Sequence, residues 1–132
     1  MQYEIDGERF STLEEFYEEV GRTLVPGVDW GRNLDAFNDI LRGGFGTPEE
    51  GFTLIWKNAS LSRERLGYRE TIRQLELRLK RCHPTNVSSV TAYLEEANRH
   101  EGGTVFDWLV DIIKRHGAGG DESEDNVELV LK

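Results

Sequence analysis

Apolar residues recur along this chain with two spacings, and these divide it into helical segments and strands. Spacings of three and four residues are typical of a helix with one buried face. They predict helices over about 12–24, 34–41, 60–65, 72–82, 90–97 and 105–116. Short apolar runs predict strands over 2–5, 52–56 and 127–131. The run 52–56 is apolar almost throughout, which is typical of a strand covered on both faces.

Capping residues and glycines indicate where the helices begin and end. Ser11 and Glu14 match a capping box for the first helix. Asn33 is a suitable N-cap for the second helix, which ends before Gly43. By composition, residues 117–125 are a flexible acidic loop. Because helical segments separate the strands, we expect an α/β fold with a parallel sheet joined by right-handed crossovers.

Charge is spread unevenly over the chain. The formal net charge is −9, yet residues 57–81 hold eight basic residues against three acidic ones. A predominantly acidic protein repels nucleic acid and attracts basic proteins. The basic segment also has few aromatic residues on which bases would stack. We therefore expect no nucleic-acid partner, and recognition of a basic protein instead.

Cysteine usage and hydropathy limit the expected compartment. Cys82 is the only cysteine, so no internal disulfide is possible and a reducing environment is expected. No apolar run approaches the length of a membrane span. The segment MQYEIDGERF lacks the basic and apolar regions of a signal peptide. The sequence thus predicts a cytoplasmic protein without a membrane partner.

No set of residues in the sequence matches an enzyme or a metal site. Cys82 and His83 are neighbours in sequence and point apart on a helix, so they form no dyad. His100 and His116 add no spacing typical of metal ligands, and each histidine is expected at the surface beside a helix end. The glycine-rich run 43–46 lacks the lysine and the hydroxyl residue of a P-loop. We expect no cofactor, no metal and no catalysis.

The segment 28–41 contains the strongest candidate for recognition. Asp35 and Asp39 are four residues apart, so they lie one above the other on the predicted helix. Two interpretations remain open. The pair is an ordinary solvated face, since acids line the outside of most helices, or it is a binding face whose carboxylates match phosphates and enter a basic cleft. It is also the only pair that could do acid–base work, although its predicted position faces solvent.

The loop before this helix supports the interpretation as a binding face. Trp30 belongs to the residue type most enriched among interface anchors, and its position indicates an exposed side chain. Partial burial against the following helix is the alternative. Gly31 lets the backbone of the loop approach a partner closely.

The motif WGRNLDAFNDIL (30–41) resembles the barstar family, intracellular inhibitors of small secreted ribonucleases. That family has an aromatic-Gly-x-Asn-Leu-Asp-Ala-Leu-x-Asp pattern in its loop and second helix. Residues 5–7, residues 54–56 and the final helix and strand also fit, so the resemblance covers about 1–66 and 104–132. It implies a three-stranded parallel sheet packed with helices, in agreement with the periodicity.

The resemblance also implies a role for individual residues. Asp39 matches the aspartate that enters the ribonuclease active site and occupies the position of a phosphate. Neighbouring contacts of the family match Asp35, Trp30 and the backbone around Gly31, Asn33 and Leu34.

Other positions match the family less directly. Asn38 stands where the family often has a tryptophan, and Asp29 where it often has a second aromatic residue. A glutamate on the last helix of the family contacts the enzyme. Its best match here is Asp111, with Trp108 one turn earlier, and a slip of three residues is the alternative.

Two departures from the family bear on the partner. Arg32 and Arg42 place positive charge beside the acidic face. Residues from about 67 to 103 have no counterpart in the compact family member, so we expect one barstar-like domain over 1–132 with an inserted helical segment at about 67–103. The sequence predicts a monomeric inhibitor that neutralises a ribonuclease toxin by plugging its basic, phosphate-binding cleft. The alternatives are a barstar-like interaction or immunity protein for another kind of partner, and a small enzyme built on the two aspartates.

Overall fold

Three parallel strands form the centre of the computed structural model, which describes residues 1–132. These are β1 (Gln2–Asp6), β2 (Phe52–Lys57) and β3 (Val127–Leu131), in the order β1-β2-β3. Both pairings are parallel, with Ile5 opposite Trp56 and Leu54 opposite Leu129. The predicted α/β class with a three-stranded parallel sheet is confirmed, and the apolar run is the central strand. Only one of its faces belongs to the main core, since on the other face Ile55 lies beside the exposed Glu4.

Six α-helices accompany the sheet, close to the positions that apolar periodicity predicts. Their bounds are α1 (Leu13–Thr23), α2 (Leu34–Leu41), α3 (Ala59–Arg65), α4 (Tyr68–Arg81), α5 (Val87–Asn98) and α6 (Val105–Arg115). The predicted capping box is wrong by one residue. Thr12 is the N-cap of α1 and accepts a hydrogen bond from the Glu15 backbone N–H at 3.1 Å. The Glu15 carboxylate in turn accepts from the Ser11 N–H at 2.8 Å.

The main core lies between the sheet and the helices and contains 24 buried residues. Trp56 of β2 is fully buried at its centre. Its ring lies 5.5 Å from the ring of Phe16 on α1 and 5.2 Å from that of Phe106 on α6, measured between centroids. Such tilted aromatic contacts add to the free energy gained from burying apolar area. The central strand thus fixes α1 and α6 relative to the sheet.

The first turn of α4 caps two other helices. The Glu70 carboxylate accepts a hydrogen bond from the Leu13 backbone N–H, at the first turn of α1, at 2.8 Å. The Thr71 hydroxyl accepts from the Val105 N–H, at the first turn of α6, also at 2.8 Å. Both side chains are buried. Since the first N–H groups of a helix have no partner within it, α4 supplies acceptors that the other two helices need.

The acidic segment after α6 is held in place, contrary to the flexible loop expected from its composition. The Glu122 N–H donates to the Arg115 carbonyl, and the Val127 N–H donates to the His116 carbonyl, both at 2.8 Å. A short 3-10 turn, Ser123–Asp125, leads into β3. Composition alone could not show these long-range acceptors. None of the helices has the length and apolar character needed to cross a membrane.

Candidate protein-binding site

Helix α2 packs against the core through one apolar face. Phe37, Ile40 and Leu41 are buried, and Leu34 is half-buried against the core. Asn33 is the N-cap, as predicted, and its side-chain oxygen accepts from the Ala36 N–H at 2.8 Å. A helix of this length is marginal by itself in water. Its position is therefore set by its buried side chains and its cap.

The opposite face of α2 carries Asp35 and Asp39, both exposed. The Asp39 side chain retains 54% of its accessible surface. Side chains at i and i+4 of a helix are neighbours, so the two carboxylates lie along one line on the surface. A rigid acidic face is what the spacing predicts, and the structure places it in solvent.

Arg42 lies between the acidic face and the segment after α6. Its guanidinium is 2.8 Å from the Asp39 carboxylate and 2.8 Å from that of Glu122. The hydrogen bond to Glu122 raises the pKa of Arg42 above its usual value. The same hydrogen bond from Arg42 holds the pKa of Glu122 below its usual value. The charge of Asp39 is thus partly balanced within the protein, whereas Asp35 makes no ion pair.

The loop before α2 has an unusual backbone. Gly31 has φ of +86°, a conformation that glycine adopts without steric cost. Arg32 follows with φ of +49°, in the left-handed region that costs a residue with a Cβ about 1–2 kcal/mol. Both residues are exposed. The loop therefore presents its backbone and the Arg32 side chain beside the N-terminus of α2.

Trp30 is buried, so the prediction of an exposed indole anchor is wrong. It keeps only 2% of its accessible surface and packs edge-on against Tyr17, with ring centroids 5.7 Å apart. A Cβ at Gly21 would lie 3.1 Å from the indole nitrogen, so this glycine leaves room for the ring. The indole N–H has no hydrogen-bond acceptor. The alternative weighed from the sequence, partial burial against α2, is correct only in that the side chain is buried, since Trp30 is fully buried and contacts α1.

Asn38 points inward from α2. Its side-chain oxygen lies 2.6 Å from Nε2 of His116, and Nδ1 of His116 lies 2.6 Å from the Asp125 carboxylate. His116 is fully buried, so the expectation of a surface histidine is wrong. It continues the stripe of Val105, Leu109 and Ile112, a spacing that could have indicated its burial. The hydrogen bond between Asn38 and His116 connects α2 to the C-terminal end of α6.

The same place contains the one group of side chains that could hold a metal ion. Atoms of His116, Glu122 and Asp125 lie within 4.8 Å of one another. Both ring nitrogens of His116 already face oxygen partners, and Glu122 is paired with the Arg42 guanidinium. A cation there would have to displace Arg42. The arrangement fits a hydrogen-bonded structural cluster.

The sequence model of one known family matches residues 1–110, and that family is described as barstar (barnase inhibitor). The chain belongs to the barstar family. Among curated proteins no relative is found. The match to barstar includes α2 with its loop, continues through α4 and α5, and stops within α6. The three-stranded parallel architecture is barstar-like.

In this barstar-family protein the remaining predicted site residues do not share one groove. Asp29 is exposed beside the C-terminal end of α1, in a groove that it shares with Arg22. Asp111 is exposed in a groove bordered by β3 that contains no residue of α2. Trp108 is half-buried beneath Arg78, whose guanidinium carbon lies 5.5 Å from the ring centroid. Asp29 shares its groove with Arg32 as well, so the structure places Asp29 next to the loop before α2 and Asp111 in a different groove.

Proposed function

We propose that this protein inhibits a ribonuclease by inserting the outer face of α2 into the active site. Asp39 takes the place of an RNA phosphate, and Asp35 adds a second negative charge one turn away. The observation that carries the proposal is the pair of exposed carboxylates on a helix that three buried side chains hold in place. The description of the family as a barnase inhibitor agrees with it.

Pre-organisation supports the same function. Binding a partner costs free energy for every side chain or loop that must become ordered. The cap at Asn33 and the buried face already fix α2, and the contact between Asn38 and His116 fixes its far side. A partner therefore meets carboxylates whose backbone needs no further ordering.

The surface that we propose contains fewer side chains than the sequence predicts. The side chains of Trp30 and Asn38 point into the protein and contribute by shape and position only. The proposed surface consists of Asp35 and Asp39, the backbone of 31–34, the exposed edge of Leu34 and the exposed side chain of Asp29. Asp111 and Trp108 remain predicted peripheral contacts.

The wider setting is part of the proposal. We infer a cytoplasmic monomer, folded as one domain with an inserted segment at about 67–103, that protects a cell from a ribonuclease toxin. Summed negative charge would speed association with a basic enzyme.

One observation favours a second candidate, a barstar-like immunity protein for a partner that is not a ribonuclease. Arg42 lies 2.8 Å from Asp39, and Arg32 lies at the N-terminal end of the same face. Both guanidinium groups lower the negative potential that a phosphate-binding cleft would meet. A less basic partner would suit this face better than the most basic ribonucleases.

Inhibition assays distinguish the candidates. Wild-type protein is titrated into a panel of small secreted ribonucleases, and the rate of RNA hydrolysis is measured. We expect Asp39→Ala to weaken inhibition at least about a hundredfold, because it leaves a basic cleft without its counter-charge. Glu95→Ala is the matched control, since Glu95 is exposed on α5 outside this face. Inhibition by the wild type should also weaken with added salt.

Two results would contradict the proposal. If the wild type inhibits no ribonuclease of the panel, the target belongs to another class. If Asp39→Ala inhibits as strongly as Glu95→Ala, a different surface makes the contact.

A further inference from the structure

A groove runs beside the acidic face, between α1 and α4, and we call it the α1–α4 groove. Glu14 and Glu18 line one wall, Arg78 and Arg81 line the other, and residues 32–35 close one end. Its volume is about 520 Å³. The basic wall comes from α4, which lies in the segment 67–103 that the sequence predicts to be an insertion. The groove therefore joins this segment to the start of α2.

Three arginines of the groove have no acidic partner. They are Arg32, Arg78 and Arg81. The ion pairs of the protein use other cations, namely Arg22, Arg42, Arg73, Arg99 and His116. Arg32 and Arg81 have exposed side chains, and Arg78 lies over the ring of Trp108. A guanidinium group without an acidic partner is a good donor to a carboxylate, because it can donate two parallel hydrogen bonds.

The acidic wall is already partly neutralised. Glu14 forms an ion pair with Arg73, which precedes Arg78 on α4. Its carboxylate also accepts a hydrogen bond from the Gln74 amide at 2.6 Å. Partial burial raises the pKa of Glu14, but the hydrogen bonds from Gln74 and Arg73, a backbone hydrogen bond and the charge of Arg73 together hold it below its usual value. The three arginines of the groove therefore meet less opposing charge than the number of acids lining it suggests.

We propose that the α1–α4 groove receives an acidic side chain from a loop of the partner protein that binds α2. The partner would thus have a basic cleft for Asp35 and Asp39, bordered by a carboxylate that reaches Arg81 and Arg32. The identity of this partner depends on the proposed function, whereas the chemistry of the groove does not. Residues 33–35 belong to both surfaces, so one partner can cover them together.

Charge argues for a single acidic group and against a nucleic acid in this groove. A polyanion would bring many phosphates close to Glu18 and Asp35, on a protein of net charge −9. Repulsion would then exceed what three guanidinium groups supply. A single carboxylate beside the basic cleft of the partner avoids this repulsion. It also matches a surface on which the acidic face of α2 lies next to the arginines of the groove.

The first experiment compares two neighbouring charge reversals on α4. Arg81→Glu removes a groove cation. Lys80→Glu makes the same change in charge at the same end of the helix, outside the groove. With a ribonuclease that the wild type inhibits, we expect Arg81→Glu to weaken inhibition about tenfold more than Lys80→Glu at low salt. Equal effects would overturn the groove and leave the proposed function standing.

The second experiment needs no ribonuclease. A tripeptide with blocked ends and a single glutamate between two glycines is titrated into the protein, and NMR follows the side-chain N–H signals of Arg32, Arg78, Arg81 and Gln74. We expect saturable shifts of these signals that vanish in Arg81→Glu and persist in Lys80→Glu. If the peptide binds in this way and no ribonuclease is inhibited, the groove stands and the proposed function fails.

Two outcomes of the titration contradict the groove. An absence of shifts at these side chains would mean that the arginines do not capture carboxylates. Tighter binding of an RNA dinucleotide with a single phosphate would assign the groove to nucleic acid.

Discussion

Asp39 of α2 and Glu70 of α4 have the same local sequence relation to an arginine, yet the structure uses them differently. Each is paired with an arginine three residues later, Arg42 or Arg73. The Glu70 side chain is 5% exposed and the Asp39 side chain is 54% exposed. Glu70 also accepts hydrogen bonds from the Leu13 N–H and the Gln74 amide, whereas Asp39 has only Arg42.

The difference shows what separates a structural carboxylate from one that is free to bind a partner. A buried carboxylate is tolerated only when several donors satisfy it, and removing it leaves those donors unpaired. An exposed carboxylate with one mobile partner contributes little to stability. Spacing in the sequence is the same in both cases, so the number of donors and the burial decide.

The largest expected effect tests the structural side of the comparison. Glu70→Ala should lower the free energy of unfolding by about 3 kcal/mol, because it leaves a buried helix N–H without an acceptor and removes the buried partner of Arg73, which then keeps only the exposed Glu14. Asp39→Ala should leave the urea midpoint within about 0.2 M of the wild-type value. Urea unfolding followed by circular dichroism measures both. Glu70→Gln, which keeps an acceptor, should lie between them, and similar midpoints for both alanine variants would remove the distinction.

A smaller effect is expected inside α2 itself, between adjacent residues. Asn38→Ala should cost about 1–2 kcal/mol of unfolding free energy, because Nε2 of the buried His116 loses its partner. Inhibition should change far less than in Asp39→Ala. Asn38→Asp keeps an oxygen at this position and should retain more stability than the alanine variant. Wild-type stability together with lost inhibition in Asn38→Ala would place this side chain on the contact surface instead.

The smallest effect concerns the pairing of Asp39 with Arg42 and Glu122. The pKa of Glu122 is lowered in the folded protein, mainly by the hydrogen bond from Arg42. The pair therefore stabilises the fold at pH values above the unfolded-state pKa of Glu122, and this contribution is lost as the pH falls through the folded-state value. Arg42→Ala should raise the pKa of Glu122 towards its usual value, measured by NMR titration of the side-chain carboxyl carbon. Lys114→Ala serves as the control, and an unchanged pKa in Arg42→Ala would argue against the pairing in solution.

Most of the fold could be predicted from the sequence, because its signals are local. The apolar spacing that predicts α2 and the run that predicts β2 need only neighbouring residues. The acidic face with Asp35 and Asp39 follows from the same periodicity. The errors concern contacts between distant residues. Trp30 is buried by Tyr17 of α1, and the segment after α6 is held by backbone acceptors and by Arg42.

The sequence by itself thus determined the α/β class, the order of the elements and which side of α1, α2 and α6 faces the core. Only the tertiary structure decided which polar groups are bound by partners within the protein and which remain free to bind another molecule. Glu70 is structural because the chain brings it to the Leu13 N–H, 57 residues away, and Asn38 because it meets His116, 78 residues away. Arg81 becomes part of a surface with Asp35 for the same reason. Periodicity reports the side on which a residue lies, whereas burial and hydrogen bonding depend on the elements that pack against that side.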